Sequence, residues 1–435
     1  MKRTDTPDKK TLKKATWRSY LSVLLLDLLA LAANQLAIHS STFANAYSHY
    51  VYRVLSLGIG SVIGLLPFSV VELLLYATIL FVLFDFVKQL RRAVRVGAAC
   101  VHPARVSQAS RTHAEASTNS KNVASSTESQ QHTGAACPTH LLAAVARPLR
   151  HFLGHLFLIL SALLVLYVFL CGINYHRTSF SQEAGLSVTI DAHGTVYDEA
   201  DLIALCDYLV TEINDTEAQL DVPCIGQTAE TPKASAAWLW HAGRTGQRAM
   251  EKLGQRYRRL SGHYPFPKPI LNTWILSVQQ TTGVYSPFTV EANYNRDIAH
   301  YDIPFTICHE LSHLRGYMQE EEANFIGVLA TIGADDLYFN YSGYVSAWVY
   351  AGNALARIDS TAFATLYARI NARTRQDMLY NNAYWKQFEG KPAEAHEQLN
   401  DAYLKMQGQT AGVRSYGYVT DLMLEYFAKN GTLTQ

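Results

Sequence analysis

Three long apolar runs dominate the first 175 positions, and each predicts a helix long enough to cross a bilayer. The first extends from Leu21 to about Ile38 and is broken only by Asp27, Asn34 and Gln35. A cleaved signal peptide fits it poorly, because the apolar core exceeds the usual length and no small-x-small cleavage site follows. The second run, Val54 to Phe84, is too long for one straight span and is interrupted at Pro67. Ser69-Val70-Val71-Glu72 then reads as a capping box, with Ser69 accepting from the third backbone N–H and Glu72 reaching back. That places the second span at about 70–87 and leaves 51–66 as a separate interfacial or re-entrant segment. The third span covers Phe152 to Ile173.

Beyond Leu186 the pattern becomes that of a water-exposed domain. Leu186–Ile190 and Thr273–Val278 predict short strands. Helical periodicity predicts helices at about 198–219, 234–260, 304–315, 319–332, 359–386, 393–406 and 416–429. The expected fold class is mainly α: three transmembrane helices, then a mostly helical extracytoplasmic domain with a small β-sheet, over 176–435.

Composition and charge sharpen this division. Charged residues make up 17% of the chain, below the roughly 25% usual for soluble domains. A mean hydropathy of -0.02 is too polar for a bundle that is membrane throughout. The net charge of +1 is not that of a strongly basic chain made for a nucleic-acid partner, but it conceals an asymmetry. Residues 1–171 hold 17 Lys/Arg against 7 Asp/Glu, and residues 172–435 hold 20 against 29. The basic residues lie in the tail 1–20 and in 88–151, whereas the loop between the first two spans carries Arg53 alone. By the positive-inside rule the N-terminus and the 88–151 loop are cytoplasmic, and the chain after about residue 174 lies outside. Residues 98–140 are rich in Ala, Ser, Thr, Gln and His and predict a disordered cytoplasmic linker. Six cysteines without a CxxC pair exclude zinc ribbons and thioredoxin-like sites; pairing of Cys206 with Cys224 stays open.

The chemistry is concentrated in Pro304–Gly316, which contains His309-Glu310-Leu311-Ser312-His313. On a helix, residues four apart share a face, so both imidazoles reach one metal, and Glu310 is placed to hold the attacking water. With this His and Glu content, chance supplies only about 0.02 such patterns. Asp302 is a plausible cap before the helix, Pro304 suits its first turn and Gly316 its left-handed stop. The chain then re-enters a helix through Gln319-Glu320-Glu321-Glu322-Ala323-Asn324. Three Glu in a first turn suit the helix dipole, and one of them is the candidate third ligand. A His₂Glu site with one open position fits zinc. Cys308, beside His309, points to another helix face and reads as a packing residue. Tyr416 and Tyr418 are oxyanion-donor candidates by residue type alone.

The order Glu320-x-x-Ala323-Asn324 resembles the Glu-x-x-Ala-Asp/Asn element of gluzincin peptidases. The resemblance implies a zincin-like domain with Glu320 as third ligand and Asn324 orienting a metal-bound His, with Glu321 and Glu322 as alternatives. The chain as a whole resembles a bacterial family of membrane proteins with an HExxH site, known only as a domain of unknown function. The shared elements are Leu66–Glu72, Gly172–Arg177, Gly283–Asn293, His309–Gly316, Glu320–Phe325 and Ser415–Asp421, and the likeness covers most of the chain outside 98–140. Zincin sites often set a substrate-binding edge strand before the metal helix, which makes Glu291 and Asn293, with Tyr416, candidate substrate contacts. The expected protein is a membrane-anchored zinc metallopeptidase with metal ligands His309, His313 and Glu320 and with Glu310 as general base. Its partners are the lipid bilayer and peptides or proteins near the outer membrane surface. The competing expectation is a non-catalytic assembly or sensor protein that keeps a structural metal.

Overall fold

The computed structural model describes residues 9–101, 138–186, 198–220, 234–407 and 418–434. It contains the three expected spans: α1 (Lys9–His39), α4 (Val70–Val101) and α5 (Pro138–Leu170) each include a stretch long and apolar enough to cross a membrane. Leu25, Leu29, Leu80, Phe84, Leu153 and Leu160 on these stretches are exposed, as side chains meeting lipid would be. α4 and α5 run into 98–101 and 138–140, so the ends of the expected linker are helical, while its remainder lies outside the described residues. The strand expected at 186–190 falls almost wholly outside them as well.

The described chain packs as two compact units: Met1–Val23 with Leu74–Leu163, and Leu24–Leu73 with Leu164–Gln435. In the first, His155 Nδ1 meets Asp85 Oδ2 at 2.8 Å. The second therefore holds more than the outer half of the sequence. It also takes in α2 (Ser41–Tyr47) and α3 (Arg53–Ile63), the latter within the segment 51–66 expected to be interfacial or re-entrant.

Local signals set most helices of the second unit. After the single turn α6 (Phe180–Glu183), Asp198 and Asp201 form a reciprocal capping box at the start of α7 (Glu199–Gln219). Ser235 caps α8 (Ala236–Arg256), accepting from Trp238 N. The strand expected at Thr273–Val278 is instead a single helical turn, α9 (Trp274–Ser277), where Ser277 Oγ donates to the Thr273 carbonyl. Its β-branched and aromatic residues find no partner strand, and the local bond prevails. The metal-motif helix is α10 (Asp302–His313), followed by α11 (Glu320–Ile332). Asp302 is in its first turn and Tyr301 is the cap, so the expected capping role is not the one Asp302 has. α12 (Leu337–Ile358), capped by Asp336, was not signalled by periodicity. It is buried along most of its length against α7 and α11, so no apolar stripe stands out from a polar face. The expected helix 359–386 is divided into α13 (Ser360–Arg369) and α14 (Ala372–Lys386), and α15 (Lys391–Met406) and α16 (Tyr418–Asn430) complete the order.

The sheet has three strands in the order β1–β3–β2: β1 (Lys268–Pro269), β2 (Gly283–Ser286) and β3 (Glu291–Tyr294). β2 pairs antiparallel with β3, Gly283 facing Tyr294 and Ser286 facing Glu291, and is an edge strand. α10 packs against α8, α11, α12 and both β2 and β3.

Two carboxylates lock the sheet to the start of α4. Glu291 accepts from Val70 N at 2.9 Å and Val71 N at 2.8 Å and pairs with Lys268 Nζ at 2.6 Å. Lys268 Nζ also donates to the Ile63 carbonyl at 2.8 Å. In return Glu72 accepts from the backbone N–H groups of Leu271 and Asn272, at 2.9 Å each. The Ser69 part of the capping box is present, its Oγ 3.3 Å from Glu72 N.

Candidate metal centre

His309 and His313 lie one turn apart near the C-terminal end of α10, and their Nε2 atoms are 3.1 Å from each other. Gly316 takes a φ of +81°, which reverses the chain within a few residues and allows α11 to return at once. This tight reversal is what makes so short a spacing from His313 to Glu320 sufficient. Glu320 Oε2 lies 3.3 Å from His309 Nε2, and Glu320 Oε1 lies 3.9 Å from His313 Nε2. Bonds of about 2.0–2.2 Å at tetrahedral angles separate ligand atoms by about 3.3–3.5 Å. The triad His309, His313 and Glu320 thus has the spacing of three corners around one cation. Glu322 has another use: its carboxylate accepts from Phe180 N at 2.8 Å and Ser181 N at 3.3 Å.

The surroundings aim these groups. His313 Nδ1 meets the Tyr317 carbonyl at 2.6 Å, which keeps the proton on Nδ1 and turns the Nε2 lone pair toward the triad. Asn324 sits against His309 and favours its protonated form. Tyr52 hydroxyl, just ahead of α3, is 3.2 Å from the His313 carbonyl and 3.3 Å from that of Leu314, tying the end of α10 in place. The Tyr317 carbonyl and Tyr52 were not foreseen from the sequence, since a backbone acceptor leaves no residue signature and Tyr52 is remote in the chain.

Charge in the site follows from burial and proximity. Burial opposes a charged His309, yet the carboxylates of Glu320 and Glu310 outweigh it and its pKa rises. Burial drives His313 down to about 4. For Glu320 burial is outweighed by the two imidazoles, and its carboxyl stays below the usual range. Glu310, 3% exposed, is pushed up to about 8, first by burial and also by Glu320, with His309 pulling the other way. Its Oε2 has no hydrogen-bond partner. A divalent cation beside it would favour the carboxylate.

The triad opens into a cavity of about 1190 Å³. Its wall includes Gly283–Tyr285 of β2, Thr306 and Glu310 of α10, Tyr350 of α12 and the face of α15 from Ala393 to Tyr403. Glu291 and Asn293 do not line it. Glu291 is taken up by Lys268 and the start of α4, and Asn293 Nδ2 lies 3.4 Å from the Val284 carbonyl and 3.3 Å from that of Glu291. They sit on β3, one strand in from the edge strand β2. Tyr416 and Cys224 lie outside the described residues; Cys206 is a buried free thiol. Cys308 is likewise buried, and loss of water raises its thiol pKa well above the ordinary value, in keeping with a packing role.

The profile of a family described as "Protein of unknown function (DUF3810)" matches residues 140–424 of this chain. No curated protein and no solved structure matches it.

Proposed function

The chain belongs to the DUF3810 family, and we propose that it is a membrane-anchored zinc peptidase whose outer domain hydrolyses peptide bonds near the membrane surface. The observation that carries this reading is a carboxylate oxygen without a hydrogen-bond partner, Glu310 Oε2, in the wall of a cavity that also holds the His309–His313–Glu320 triad. A purely structural metal has no use for such a group.

Two imidazole nitrogens and one carboxylate, leaving a fourth position toward the cavity, suit zinc best. Bound there, zinc supplies a Lewis acid for the scissile carbonyl and lowers the pKa of water. Glu310 takes the proton of the attacking water and delivers it to the leaving amine. The Tyr317 carbonyl orients His313, and Asn324 lies beside His309. β2 offers its free edge to an extended peptide, which would bring a carbonyl past Glu310, since Gly283 is the strand residue against that side chain. The Lys/Arg distribution supports a cytoplasmic N-terminus and an outer domain beyond the cytoplasm.

The test uses the purified full-length protein in detergent, with metal content and cleavage of a broad peptide library measured for wild type and Glu310→Gln. One zinc per chain in both is expected, with cleavage by wild type reduced about 10²–10⁴-fold in the variant. Full zinc occupancy with both proteins equally inert would favour the structural-metal reading instead.

A further inference from the structure

Six carboxylates line the cavity over the triad: Asp302, Glu310, Glu320, Glu389, Glu394 and Glu397. Among the described residues no Lys or Arg lines it. The deep acids are explained by the site, Glu320 as ligand and Glu310 as base. Asp302 is removed from water in the cavity wall, and the three acids nearer the surface have no such account. Glu389, just before α15, and Glu394 and Glu397 on its cavity face are exposed, and no described Lys, Arg or His pairs with any of them. Lys405, on the same helix, is engaged by Asp401 at 2.6 Å. Like charges held unpaired along one wall focus a negative potential into the cavity.

A second observation points to an occupant. Thr306 Oγ1, Ser346 Oγ and Asn324 Nδ2 belong to side chains at most 5% exposed, line the same cavity and have no hydrogen-bond partner. Buried polar atoms are almost always paired. Unsatisfied donors and acceptors around a volume of this size match the N–H and C=O groups of a peptide main chain.

From these two features we infer that the cavity selects peptide segments carrying Lys or Arg beside the bond to be cut, with Glu389, Glu394 and Glu397 setting the preference. The inference rests on the peptidase reading for the word "cut", but the binding preference stands by itself. Exposed ion pairs are individually weak. Three acting on one peptide multiply to about a tenfold preference.

The test measures binding by fluorescence anisotropy to zinc-loaded, full-length Glu310→Gln protein in detergent. Two labelled decapeptides differ only in carrying Lys and Arg, or Glu, on both sides of a common centre. The basic peptide is expected to bind about tenfold more tightly at low salt, and less so as salt rises. Glu389→Gln/Glu394→Gln/Glu397→Gln should reduce the ratio to about twofold, and Glu394→Lys/Glu397→Lys should invert it. Zinc content and a thermal melt report whether each variant is folded. Equal binding of the two peptides by the protein with its acidic wall intact, or a preference that survives loss of all three charges, overturns the inference. Hydrolysis of a neutral peptide by wild type is followed in parallel. Its absence together with charge-dependent binding sinks the peptidase reading alone, and hydrolysis without charge preference sinks the selectivity alone.

Discussion

Gly283 and Glu310 leave no room for a side chain between them: a Cβ on Gly283 would lie 2.6 Å from Glu310 Oε1 and 2.8 Å from its Cγ. The edge strand and Glu310, the proposed general base, are therefore fitted to each other. Gly283→Ala should displace Glu310 without touching the metal ligands. A shift of about 1 Å in a catalytic group costs on the order of 10²-fold in rate. Peptide turnover should fall by that order while zinc content, measured by elemental analysis, remains one per chain.

Glu320 and Glu322 are two residues apart and should separate cleanly. Glu320→Gln removes a charged corner of the triad and should weaken zinc affinity well beyond tenfold, read by competition with a chromogenic chelator. Glu322→Gln should leave zinc affinity near that of wild type. Its cost should appear as lower thermal stability, about 1–3 kcal/mol, because two backbone N–H groups of α6 lose a charged acceptor. Equal loss of zinc in both variants would mean that the triad does not hold the metal.

The Lys268–Glu291 pair is almost wholly sealed from water, with the two side chains 1% and 2% exposed. Lys268→Met or Glu291→Gln alone strands a buried charge and should destabilise by about 3–5 kcal/mol. Replacing both together should cost less than the sum of the single changes, because neither charge is left alone. A thermal or denaturant melt in detergent, run as a double-mutant cycle, measures this coupling.

Asp302, in the cavity wall, has its carboxyl raised to about 7 by removal from water. In the unfolded chain an aspartate titrates at about 3.9. Between these values the folded state binds the extra proton, so this group's stabilising contribution is complete below about pH 4 and is lost as pH climbs through about 7. Asp302→Asn should flatten that part of the profile, with the variant gaining in relative stability at pH 8. Melting temperatures at pH 4 to 8 test it, and parallel profiles for the two proteins would contradict it.

The sequence disclosed what is set locally. His309, Glu310 and His313 share a face because of helical period alone, and Gly316 stops their helix because only glycine takes that backbone conformation without strain. Singling out Glu320 required a resemblance, since three adjacent Glu are indistinguishable by helix dipole. Only the fold shows that Glu322 points toward α6. α12 escaped notice because a helix buried on most sides has no period to detect. The zincin resemblance makes Glu291 a candidate substrate contact, whereas its partners in the fold are Lys268 and the first turn of α4. Contacts such as Tyr52 with the His313 carbonyl join positions 261 apart, and nothing in either neighbourhood announces the other.

The exchange in which Glu291 serves Val70 and Val71 while Glu72 serves Leu271 and Asn272 bears on whether the domain could ever be released from its membrane helices. A fragment severed after the third span would strip two backbone amides of their acceptor and leave Lys268 without the Ile63 carbonyl. The domain that carries the triad is thus not self-sufficient without the segment ahead of the second span, and whatever it acts on must come within reach of its own patch of lipid.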